Sequence, residues 1–291
     1  MKSRYYIEGI LAAFLFGCTP VFIKKVTASA VTIGLVRLTI ASVLMYFCFV
    51  GAKKIKLLRP KDWKALMLIG LVFGLHWVSY FYAIKVSTPS IAILGLTSFG
   101  IYLILFGWIF QKKRPTSFDW FTVIMAVTGN LIIVPEFSLE NDITVGLLIG
   151  LGSALFFALL PMLQQKNAHI PSYTRAFGQY TFGLLFFCSL SFQADFDLPQ
   201  TDWYYLAILG VICTLGAHTL WLRATTELPH GASSIIYYLS IPVSMWVSYL
   251  FLDEPMPMNK ILGAILIILA NIVGIVKHMN QSAFKKKGVQ P

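Results

Sequence analysis

Charge is scarce in this chain, and carboxylates are scarcer still: 12 Asp and Glu stand against 23 Lys and Arg. Charged residues make up 12% of the sequence, where a soluble domain carries about 25%. No polar interruption is much longer than the stretch 51–62, so no soluble domain fits between the apolar runs. The net charge of +11 therefore has no folded basic face to present to a nucleic acid. Cysteine is equally sparse. Cys18, Cys48, Cys188 and Cys213 all fall inside apolar stretches, which excludes a disulfide framework. There is no His-Glu-x-x-His and no pair of carboxylates within one apolar run. An enzyme built on a metal or on acid–base carboxylates has nothing to stand on, and a passive scaffold would not need the repetition described next. No cofactor and no metal are expected.

What is present is apolar length. The chain is 57% hydrophobic and 15% aromatic, with a mean hydropathy of +0.75. A membrane helix needs about 20 apolar residues, and ten such segments can be placed: 6–23, 30–50, 63–83, 89–110, 120–134, 144–163, 172–191, 203–222, 231–252 and 261–276. The second five repeat the first. Asp62, Trp63, Leu66, Gly70 and Pro115 recur as Asp202, Trp203, Leu206, Gly210 and Pro255, at an offset of 140. Ala13, Phe16, Pro20, Lys25, Ala83 and Asn130 recur as Ala154, Phe157, Pro161, Lys166, Ala224 and Asn271, at an offset of 141. Five is odd, so the second copy enters the bilayer from the opposite side. The expected fold is an all-α membrane protein of ten transmembrane helices in two inverted five-helix repeats, 1–140 and 141–291 with a basic cytoplasmic tail. Inverted repeats characterise secondary transporters, whose halves exchange roles to open on alternate sides.

Orientation follows from the basic residues. With the N-terminus inside, 18 of the 23 Lys and Arg fall on the cytoplasmic side, and Glu136, Glu140, Asp142, Asp195, Asp197, Asp202, Asp253 and Glu254 lie outside. Both termini are expected in the cytoplasm, with the chain multi-pass in the cell (inner) membrane. The start of the chain also has the order of a cleavable signal peptide: Lys2 and Arg4, an apolar run, then Ala28-Ser29-Ala30. Pro20 and Lys25 have repeat partners, which ties this segment to the fold instead.

Two stretches carry a family resemblance. Tyr82-Ala83-Ile84-Lys85-Val86-Ser87-Thr88-Pro89-Ser90-Ile91-Ala92 is one, and Pro242 through Phe251-Leu252-Asp253-Glu254-Pro255, followed by Gly263-Ala264-Ile265-Leu266-Ile267, is the other. Both resemble the EamA family of the drug/metabolite transporter superfamily. The resemblance implies a ten-helix bundle with the substrate path between the halves. Segments 1–4 and 6–9 would line it, and segments 5 and 10 would form the back, where a homodimer would assemble. The chain has Gly100 where many members have proline, so segment 4 is expected to kink less; it has Lys113-Arg114-Pro115 where they carry glutamate before the proline. Asn130 and Asn271 are expected to bond a neighbouring helix across the back.

Intramembrane polar groups are costly and are functional suspects by default. Segment 3 offers Gly74-Leu75-His76-Trp77-Val78-Ser79-Tyr80, in which His76 and Tyr80 share a helical face. Segment 8 repeats the Gly-x-His pair in Gly216-Ala217-His218, with Trp221 on the same face. Bracing of a helix contact and substrate binding are equally good accounts of both histidines. Tyr102, Tyr237, Tyr238 and Gln179 complete the candidate substrate-binding set, together with Arg37, about 10 Å deep in segment 2. Arg37 is read either as a partner for a substrate carboxylate or, preferably, as an arginine that snorkels outward onto backbone carbonyls. Trp63, Trp120 and Trp203 are read as interface anchors.

No acid lies mid-membrane, so coupling to protons or sodium has no carboxylate to use. The expected activity is facilitated movement or exchange of a small organic solute across the lipid bilayer by alternating access. The family's range favours export of amino acids or related metabolites. The alternative is import or exchange of a nucleoside-like or methyl-donor metabolite such as S-adenosylmethionine.

Overall fold

A computed structural model describes residues 3–111, 114, 116–133, 138–228 and 230–286. Among them the chain is helical throughout, with no strand. The helices are α1 (Ser3–Lys25), α2 (Ala30–Met45), α3 (Gly51–Lys56), α4 (Pro60–Val86), α5 (Pro89–Leu96), α6 (Phe99–Gln111), α7 (Ser117–Ile133), α8 (Asp142–Lys166), α9 (Ser172–Cys188), α10 (Gln200–Ile208), α11 (Ala217–Glu227), α12 (His230–Tyr237), α13 (Ser240–Leu252) and α14 (Met258–Lys286). A π-helical turn, Tyr46–Val50, joins α2 to α3, and a longer one, Leu209–Gly216, joins α10 to α11. Among the described residues, six continuous stretches are long and apolar enough to cross a membrane: Ser3–Lys25, Ala30–Lys56, Pro60–Val86, Asp142–Lys166, Gln200–Glu227 and Ile235–Leu252. Pro89–Tyr102, Ser117–Ile133 and Met258–Ala270 are shorter apolar helices.

Local chemistry sets the helix starts. Pro60 and Pro89 occupy first-turn positions, where the missing N–H has no intrahelical partner to lose. Asp62 accepts from the backbone N–H of Arg59 at 3.0 Å, and Asp119 from that of Thr116 at 2.6 Å. Thr88 and Asn141 cap α5 and α8 through their side chains. Pro20 and Pro161 sit inside α1 and α8 at equivalent repeat positions.

The packing respects the exchange of the two halves. α1 packs against α11, α12 and α13; α8, its counterpart, packs against α4, α5 and α6. α2 crosses α9, and α7 runs along α14. Glycines permit the tightest crossings. A Cβ on Gly129 would meet the Gly263 carbonyl at 2.8 Å, and one on Gly263 would meet the Gly129 carbonyl at 2.6 Å. Phe47, Ile124, Leu131, Trp246 and Ile265 point outward, as lipid-facing side chains do.

Two expectations about these helices fail. Segment 4 breaks at Thr97–Ser98 although it lacks the proline: Thr97 turns its hydroxyl onto the Leu94 carbonyl at 2.6 Å, and the Ser98 N–H reaches Gly95 in a tighter turn. Segment 9 breaks between Tyr237 and Ser240, the equivalent place. Asn130 does not bond a neighbouring helix. Its amide donates to Ala126 of its own helix at 2.9 Å, four residues back, where the carbonyl is nearest. The side chain of Asn271 lies outside the described residues.

Candidate functional site

A cavity of about 30 Å³ lies where the two halves meet. The first half supplies Phe16, Thr19, Arg37, His76, Trp77, Tyr80, Phe81 and Leu96, and the second supplies Phe157, His218 and Tyr237. Phe16 and Phe157 are repeat partners at an offset of 141, and the Gly-x-His histidines recur one position further on, at 142. The rings interlock. His76 stacks on Tyr80 at 5.7 Å, and His218 packs against Phe16, Phe73 and Trp77 at 4.6, 5.1 and 5.2 Å. A cavity needs 10–15 Å³ or more to hold one water, so this one admits water and no metabolite until helices part.

His76 ties the halves together, and its tautomer follows from its partners. Its Nδ1 lies 2.8 Å from the Ser153 hydroxyl and 3.3 Å from the Ser153 carbonyl. The same hydroxyl donates to the His76 carbonyl at 2.9 Å, so its proton is committed. Nδ1 therefore carries a ring proton, which in the neutral imidazole leaves Nε2 as the lone-pair nitrogen. Bracing and cavity lining thus coexist in one side chain.

Arg37 corrects a sequence expectation. It does not snorkel and it binds no carbonyl. It is fully buried; Nε donates to the Thr214 hydroxyl at 3.0 Å, while the guanidinium lies 4.2 Å from the Trp77 ring and 5.0 Å from the Phe81 ring. The π-helical turn sets this contact. Its wider register lets the Thr214 hydroxyl donate to Leu209 five residues back at 2.7 Å, leaving the oxygen to accept from Arg37. The Tyr180 hydroxyl fixes the same turn by donating to the Thr214 carbonyl at 3.2 Å.

Polar latches close the bundle at both ends. α4 is one continuous helix, so Asp62 and Val86 stand about 36 Å apart. At the Val86 end, the Lys24 ammonium donates to the carbonyls of Ile84, Lys85 and Ser87 at 3.1, 3.0 and 2.6 Å. Lys85 returns the contact to Val26. Asp202 accepts from the backbone and hydroxyl of Thr27 at 2.7 and 2.6 Å. Ser90 donates to Glu254, which is paired with Lys260. At the Asp62 end the same positions recur with different chemistry. Gln165, the repeat partner of Lys24, donates to Thr225, the partner of Ile84, at 2.8 Å. Asp62, the partner of Asp202, meets His169 at 2.9 Å. Glu8 adds an ion pair with Arg223 at 3.0 Å.

The family model of EamA-like transporters matches residues 3–134 and again 144–275. The chain belongs to the EamA-like transporter family. EamA relatives span nearly its whole length. It is 28% identical over 272 residues to the pseudopaline exporter CntI of Pseudomonas aeruginosa, covering 90% of this chain and 93% of that protein. It is 22% identical to mouse solute carrier family 35 member G1, covering 94% and 78%, and to the uncharacterized transporter YwfM of Bacillus subtilis, covering 94% of each. A solved crystal structure matches the fold with a TM-score of 0.69 at 16% identity, covering 95% of this chain and 98% of that one. The protein is thus a multi-pass membrane transporter of the drug/metabolite transporter superfamily.

Six of the ten candidate residues meet at the EamA cavity: Arg37, His76, Trp77, Tyr80, His218 and Tyr237. Four lie elsewhere. Trp221 is buried behind Tyr237 at 5.6 Å, and Tyr238 packs on Phe99 at 5.5 Å. Tyr102 stacks on Phe106. Gln179 accepts from Gln164 at 2.8 Å, within a network around Arg175 near the Asp62 end. Phe16, Thr19, Phe81, Leu96 and Phe157 line the cavity without being candidates. Phe16 and Phe157 had a signal, their pairing between the repeats; the others had none.

Proposed function

We propose that this protein moves a small amino-acid-like metabolite out of the cell by alternating access, with ten spans in two inverted halves, 1–140 and 141–291, and both termini in the cytoplasm of an inner-membrane protein. The observation that carries this reading is the central cavity, lined from both halves, with polar contacts at repeat-equivalent positions tying the helices at each end of the bundle. Opening one set while the other holds exposes the cavity to one side at a time. His76, Trp77, Tyr80, His218 and Tyr237 are its solute-facing groups. The outer faces of α7 and α14 are the surfaces for a homodimer. The aromatic lining also favours a second reading, a planar nucleoside-like solute stacked on Trp77 or Tyr237.

No carboxylate lines the cavity, so substrate moves down its own gradient. In proteoliposomes, counterflow of a cognate amino acid should saturate, and an imposed pH or sodium gradient should change the initial rate less than about twofold, below the 5- to 150-fold of coupled sites. Concentrative uptake driven by either ion refutes the uncoupled mechanism. A flux that does not saturate and shows no counterflow refutes the carrier.

A further inference from the structure

The chain holds two fully enclosed arginines, and they differ. Arg175 is satisfied. Its Nε donates to the Ile170 carbonyl at 2.9 Å, and its Nη1 reaches the Gln164 carbonyl, the Gln164 side chain and the Thr226 hydroxyl at 2.6, 3.0 and 3.1 Å. That is how a structural arginine is accommodated away from water. Arg37 has one partner, Thr214, on Nε. Its Nη1 and Nη2 are buried with no hydrogen-bond acceptor, and the residue lines the cavity. The rings of Trp77 and Phe81 offset part of its charge, but they accept no N–H in the guanidinium plane. Four donors of a planar fork are left without acceptors.

The groups around that fork are Thr19, His76, Tyr80, His218 and Tyr237, and none carries negative charge at neutral pH in its ordinary form. A carboxylate presents two oxygens at the spacing of the two terminal nitrogens, and such bidentate pairs are the strongest and most oriented hydrogen bonds available to arginine. We propose that the substrate enters the cavity with an anionic group, a carboxylate or its chemical equivalent, received by Nη1 and Nη2 of Arg37, and that Thr214 is the positioning residue that aims the fork. The neutral His76 Nε2 accepts a hydrogen bond from a donor on the same solute. This inference rests on the transport reading and narrows it: solutes without an anionic group are discriminated against at this one side chain.

The test uses the full-length protein in detergent and matched acid–amide pairs: L-phenylalanine with its amide, L-histidine with its amide, and nicotinate with nicotinamide. Binding is followed by thermal shift and then by titration calorimetry. At least one acid should bind, about 10- to 100-fold tighter than its amide, the range for a charge-assisted hydrogen-bonded contact. Arg37→Gln should abolish that preference, so that each acid binds no tighter than its amide. Arg37→Lys, which keeps the charge and loses the fork, should retain a part of it. Thr214→Val should lower the acid-to-amide ratio several-fold, whereas a purely structural role would lower thermal stability and leave the ratio alone. If Arg37→Gln does not fold, the ratios in Arg37→Lys and Thr214→Val decide. The proposal falls if acids and amides bind equally, if no acid binds, or if the preference survives in every variant. Acid preference without any counterflow sinks the transport reading and leaves the anion site standing. Saturable counterflow of a solute that Arg37→Gln carries equally well does the reverse.

Discussion

One hydroxyl, that of Ser153, holds α4 to α8 by accepting from the His76 ring and donating to the His76 carbonyl. Both groups are buried. Ser153→Ala removes two hydrogen bonds, about 0.5–1.5 kcal/mol net each, while the His76 carbonyl keeps the Ser79 hydroxyl at 3.0 Å and the ring keeps the Ser153 carbonyl at 3.3 Å. The variant should melt several degrees below wild type in detergent; an unchanged melting temperature would show that the bracket contributes nothing. His76 and His218 were legible in the sequence because Gly-x-His recurs in two apolar runs at nearly matching positions, and chance rarely writes a costly residue twice. Arg37 was visible as an anomaly, but its direction was not. Whether a guanidinium snorkels or turns inward depends on Thr214, which reaches it only through a π-helical turn that no apolar periodicity announces. Thr19 and Phe81 were silent, since one threonine or phenylalanine in a membrane helix resembles any other until the helix's rotation is known.

At the level of helices, the all-helical, membrane-length character was readable because membrane length is a blunt constraint, whereas the breaks were not. A missing proline suggested a straighter segment 4, yet Thr97 competes for the Leu94 carbonyl and turns the chain without one. Helix contact is sharpest where α7 crosses α14 at Gly129 and Gly263. A methyl group on either meets the opposing backbone, which has no rotamer to move aside. Gly129→Ala and Gly263→Ala should each cost about 1–3 kcal/mol, the usual penalty of overpacking. Gly152 faces open space, so Gly152→Ala is the matched control and should unfold at or above the wild-type temperature. Equal melting temperatures for all three would mean that the α7–α14 crossing carries no share of stability.

The whole molecule answers to charge placement. Lysines and arginines crowd the loops on one side of the proposed bilayer, and that bias alone gave the orientation. Single cysteines at Glu140 and Asp195, in a chain with Cys18, Cys48, Cys188 and Cys213 replaced, should react with an impermeant maleimide in intact cells. One at Lys56 should react only after permeabilisation. The opposite pattern would overturn the proposed topology and with it the inversion of the halves.

The two ends are built from equivalent positions but from different chemistry. One carries an ammonium on three carbonyls and a buried Glu254–Lys260 pair; the other carries the Gln165 amide contact, the Asp62–His169 contact, the Glu8–Arg223 ion pair and the Arg175 network on Gln164. An uncoupled carrier cannot set the final concentration ratio across a membrane, yet it can choose where it waits. Under the proposed orientation, whichever set of contacts parts more readily decides whether the idle protein waits open to the cell interior or to the outside. Waiting open inward would let it sample the internal pool continuously and act as an overflow valve for the metabolite it carries.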